Sequence, residues 1–131
     1  MKTRLAVVTA GALLMLASVP AIAHHSFAAE FDASKPVKLT GTVTKIEWMN
    51  PHAYFYIDVK DESGKVTNWG MEMGSPNGLM RQGWSRNSMK VGDLVSIEGS
   101  QAKDGAKLAN ARSVTLASGQ RLFAASSQGN Q

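Results

Sequence analysis

The 131-residue chain contains no cysteine. That excludes disulfide staples, a thiolate nucleophile, and any zinc or iron–sulfur site built on thiolates. It also excludes lipid attachment at a lipoprotein cysteine. Histidine is scarce, at three residues, and charge of either sign is modest: 14 Lys and Arg against 10 Asp and Glu, a formal net charge of +4. Enzyme signatures are missing as well. "GLMRQGWS" has glycines at phosphate-loop spacing, but Trp84 stands where the lysine must be. "GSPNG" is not a nucleophile elbow, because Ser75 is not centred between its glycines. Glu47, Asp58, Glu72 and Glu98 form no pair at a recognisable spacing and read as solvated acids on separate strands.

What is present begins with an export pattern. Lys2 and Arg4 form a basic start, Leu5 to Val19 is uncharged and mostly apolar, and Pro20 breaks the run. Ala21-Ile22-Ala23 supplies the small-x-small pattern of a signal peptidase site. The expectation is a signal peptide over 1–23, cleaved after Ala23, with Ala21 as the other possible site. The apolar run is too short and too diluted for a stable membrane anchor. Removing two cations and no acid lowers the net charge to +2. The expected product is periplasmic, and too weakly basic to argue for a nucleic-acid partner.

The remaining residues, 24–123, read as one domain, and 124–131 reads as a disordered tail. Phe27 and Phe31 are spaced to share one face of a helical turn. From Pro36 the pattern alternates. Val37, Leu39 and Val43 share a face, then Ile46 and Trp48 fall out of phase, which predicts a bulge between Gly41 and Lys45. "AYFYIDV" alternates cleanly, "DESGK" is a hairpin turn, and Trp69, Met71 and Met73 share a face of the third strand. The two methionines read as core rather than as soft metal ligands. Ser75 and Pro76 start a short helix with Leu79, Met80 and Trp84 on its apolar side. A turn at Gly92-Asp93, a fourth strand, the "KDGAK" turn and a fifth strand complete the order, and "SGQRLF" is a turn with a short end. The fold class is therefore all-β: a five-stranded OB-fold-like Greek-key barrel with one short helix between strands 3 and 4.

In such a barrel, ligands lie across strands 2 and 3, under loops that here are "MNPHA" and "AKDGAK". His52 lies in the first of these, flanked by Trp48, Asn50 and Tyr54 as candidate ligand-binding residues. Taken alone, His52 reads as a turn residue bonded to backbone. The leader changes the balance. Cleavage after Ala23 gives His24 both a free amine and an imidazole, which can chelate one copper ion, with His25 or His52 adding a further nitrogen. Cleavage after Ala21 places His24 third, which also suits square-planar copper. The candidate metal ligands are thus His24, His25 and His52, for copper, with no cofactor strictly required. Tyr54 and Tyr56 read as cross-strand aromatic packing rather than as a base-stacking platform.

"HHSFAAEFD", "GTVTKIEWMNPH", "NWGMEMGSPNGLMRQGW" and "KVGDLVSIEG" together resemble a family of small exported bacterial proteins of unknown function. The likeness runs from His24 to about Phe123 and implies a periplasmic single domain, but no activity. More loosely, the element order is similar to periplasmic OB-fold proteins linked to stress tolerance. Three functions follow as expectations: a small non-enzymatic copper-binding protein; a metal-free stress-accessory module, monomeric, whose "NPHAY" loop meets a protein or small ligand; and, least supported, a copper-dependent redox enzyme.

Overall fold

A computed structural model describes residues 27–125. It is mostly β: six strands in one sheet with a short helix between the third and fourth. The elements are α1 (Phe27–Glu30), β1 (Phe31–Glu47), β2 (Tyr54–Lys60), β3 (Val66–Glu72), α2 (Pro76–Arg81), β4 (Leu94–Ala102), β5 (Leu108–Thr115) and β6 (Arg121–Phe123). Sheet order is β3-β2-β1-β4-β5-β6 with antiparallel neighbours, and β3 also pairs with β5 in parallel. The expected signal peptide over 1–23 and the candidate ligands His24 and His25 lie outside the described residues.

The long first strand forms as its alternation predicts, with a register break between Val43 and Lys45. Val43 pairs with Ile57 before the break and Lys45 with Tyr56 after it. The extra residue turns Val43 inward while letting Ile46 and Trp48 still pack on the core. Gly41 lies just before this bend. A Cβ there would run into the backbone carbonyl of Asp58, so the close approach of β1 to β2 needs glycine.

Phe55, Ile57, Met71, Met73, Leu79 and Ile97 are fully buried. Each such side chain contributes roughly 1.5–3 kcal/mol by leaving water. Met71 and Met73 are core residues, as their shared face with Trp69 predicts. Ser75 caps α2, its Oγ accepting from the Gly78 amide at 3.1 Å, and Pro76 occupies the first turn. Leu79 and Trp84 pack inward as expected, but Met80 is exposed, because six helical residues present only a narrow buried stripe.

Three sequence expectations change. There are six strands rather than five, since Arg121–Phe123 pairs antiparallel with β5. β1 starts at Phe31 rather than Pro36, because buried Phe31 pairs with Ala102 and stacks on Phe27 at a centroid distance of 5.8 Å. Order also passes the expected boundary at Phe123. Ala124 is fully buried, its amide donates to the Arg112 carbonyl, and its own carbonyl accepts from the Gly74 amide.

Candidate functional site

Strand pairing builds the site in one row. Tyr54 opens β2 and stands opposite Glu72, the last residue of β3; Glu72 in turn stands beside Asn110 on β5. Met71 and Met73 take the core face on either side, so Glu72 points to the other face, yet it remains buried at 6% exposure. An ionisable group so placed must be hydrogen-bonded. The phenol of Tyr54 donates to Oε2 at 2.9 Å, and Nδ1 of His52 lies 3.0 Å from Oε1. Asn110 Nδ2 makes a longer 3.5 Å contact to Oε1. The carboxylate sets the orientation of that amide, since turning it over would bring two acceptors together. Asn110 Oδ1 is left buried without a partner among the described residues.

A carboxylate oxygen accepts, so the ring nitrogen facing it carries the hydrogen. His52 thus commits Nδ1 to Glu72, which leaves Nε2 clear of that bond; its side chain is 40% exposed. The sequence expected His52 to bond to backbone, and its partner is instead a side chain twenty residues away. Burial, together with the hydrogen bond to Glu72 and the negative charge there, raises the Tyr54 phenol well above the usual range.

Beside this network opens a cleft of about 450 Å³, walled by Ala29 and Glu30 of α1, by Tyr54 and Glu72, and by Lys103 and Asp104 of the β4–β5 turn. The Lys103 amide donates to the Glu30 carbonyl at 2.9 Å, tying α1 to that turn. Of the residues expected here, His52 and Tyr54 meet through Glu72. Trp48 is half-buried against the core, and Asn50 is exposed, in a cis peptide bond to Pro51. Tyr56 belongs to the sheet surface, its hydroxyl 3.3 Å from Glu47 with Lys45 above its ring. Glu72 is the residue that sequence reasoning missed. It reads as a solvated acid until β5 is placed beside β3.

Among the described residues, no three His, Asp or Glu side chains stand close enough together to hold a metal ion.

Fold and site together define a small β-rich protein with a histidine anchored on a buried carboxylate, and that carboxylate also lines an open cleft. The chain belongs to the family described as "Family of unknown function (DUF6152)", whose profile matches residues 12–111. No curated protein and no solved structure matches it.

Proposed function

We propose that this chain is an exported, periplasmic, non-enzymatic protein that binds copper through His52 Nε2 together with His24 and His25 of the processed terminus. One observation carries the reading. His52 is held by Nδ1 on the buried Glu72 carboxylate, the arrangement by which a carboxylate orients a metal-binding imidazole. Imidazole and amine nitrogens suit Cu(II), which binds most tightly among the divalent first-row metals.

The position of α1 supports the histidine partners. Ala29 and Glu30 wall the same cleft as Tyr54 and Glu72, and His24 is five residues before Ala29. That is at most about 18 Å of extended chain. Pairing of β1 with β2, β2 with β3, β3 with β5, β5 with β4, and β4 with β1 supports an OB-fold-like Greek-key barrel, with β6 as an addition. In that fold the "NPH" and "KDG" loops flank the ligand face.

The test uses the processed protein, with its first residue established by mass spectrometry and Cu(II) added by calorimetric titration. The expected result is one tight site, lost in His52→Ala and weakened by an extra residue ahead of His24. Affinity untouched by both changes removes the reading. A second reading is a metal-free interaction or stress-accessory module. It draws on the lack of a complete metal-ligand set among residues 27–125. Absence of any copper binding by the processed protein favours it.

A further inference from the structure

We propose that Glu72 is a positioning residue that presents His52 to the metal through Nε2 alone, and that Tyr54 and Asn110 exist in this row to hold Glu72. The inference rests on the copper reading above and concerns how its ligand is prepared.

The argument begins with burial. At 6% exposure, the end of β3 would be filled more cheaply by an apolar side chain. A carboxylate there gives up hydration, and it must recover that from donors already in place. Two full-length hydrogen bonds do so, from His52 at 3.0 Å and Tyr54 at 2.9 Å. Both donors come from the segment just before or at the start of β2, on the side of the loop that carries His52. Asn110 backs the same carboxylate from β5.

The row is set by backbone pairing rather than by flexible loops. Tyr54 is in register with Glu72, and Glu72 with Asn110. The carboxylate therefore has a defined place and direction before any metal arrives. The imidazole attached to it loses rotational freedom in advance, and its Nδ1 is withdrawn from ligation. A ring held this way offers one nitrogen in one direction, which reduces the ordering left to do on binding.

Two measurements test this, one without metal. In the metal-free protein at about pH 8, where histidine is ordinarily neutral, long-range nitrogen–proton NMR reads which ring nitrogen of His52 carries hydrogen. The expected form is Nδ1–H in the native chain, shifting toward Nε2–H in Glu72→Gln. Native protein with hydrogen on Nε2 overturns the proposal. The second measurement is Cu(II) titration with the paramagnetic resonance spectrum of the bound ion. Glu72→Gln is expected to weaken binding roughly 10–100-fold and alter the spectrum. Tyr54→Phe keeps the carboxylate but removes one donor, and is expected to weaken binding by a smaller factor, which keeps the proposal testable should Glu72→Gln fail to fold. Copper lost in His52→Ala but bound with native affinity and spectrum by both Glu72→Gln and Tyr54→Phe overturns this inference and leaves the copper reading standing. Affinity indifferent to His52→Ala overturns both.

Discussion

Tyr54 and Glu72 face each other across β2 and β3 in register, and the Tyr54 hydroxyl donates a 2.9 Å hydrogen bond to Glu72 Oε2. Burial, the bond and the nearby negative charge all favour the protonated phenol. The folded-state value is raised above the ordinary 10.0, so this contribution to stability is fully present below pH 10. Above it, the unfolded chain releases the proton and the folded chain does not. Stability is expected to fall as pH rises past 10, with no Tyr54 phenolate absorbance until the protein unfolds. Denaturant midpoints against pH check this, and Tyr54→Phe is expected to flatten the decline.

On the acid side, one contribution comes from a turn. Asp61 Oδ1 accepts from the Ser63 hydroxyl at 2.6 Å and from the Ser63 and Lys65 amides. These bonds, the Ser63 hydroxyl first among them, hold its carboxyl below the ordinary 3.8. A depressed folded value gives stability that is present above 3.8 and is lost as pH falls through the folded value. Asp61→Asn is expected to shrink the loss of thermal stability between neutral pH and the region below 3.8, measured by melting scans.

Phe31 ties the lead-in to the sheet. It is buried at 1% exposure, pairs with Ala102, and stacks on Phe27. Phe31→Ala is expected to destabilise by about 3–5 kcal/mol. Phe27→Ala, at a partly exposed position, is expected to remove about 0.5–1.5 kcal/mol of aromatic pairing plus some burial. Urea unfolding of the two variants checks the ranking.

Gly41 is the tight point of β1. Gly41→Ala directs a methyl group at the Asp58 carbonyl, backbone that cannot swing aside. The expected loss is about 1–3 kcal/mol by denaturant unfolding. Gly92→Ala is the contrasting control: its Cβ meets nothing, so its penalty comes only from the positive φ of 96°.

Much of this architecture is written locally. The bulge in β1 follows from the phase slip between Val43 and Ile46, the helix start from Ser75-Pro76, and the hairpin turn from Gly64, which has a φ of 86°. Each is a property of a few neighbouring residues. The first part of β1 was hidden because Asp32 to Lys35 are polar or small and do not alternate, and Asp32 binds the Ser34 amide and hydroxyl. The last strand was hidden by its length of three residues. Half of the site was legible too: His52 beside Tyr54 in a loop between strands. Glu72 was not, because its burial depends on Asn110, 38 positions later, and alternation says which face a residue takes but not what covers that face.

The parallel pairing of β3 with β5 also makes the site depend on a distant part of the chain. Gly70, Met71 and Glu72 find their partners at Leu108, Ala109 and Asn110. A growing chain can close the β2–β3 hairpin early, since its turn is short and its pairing local. The seat beneath His52 is complete only with β5 in place, because Asn110 backs Glu72 from that strand. A chain that ends before Leu108 would carry His52, Tyr54 and Glu72, yet lack the Asn110 contact to that carboxylate. The seat of His52 is therefore a property of the assembled sheet and not of the β2–β3 hairpin alone.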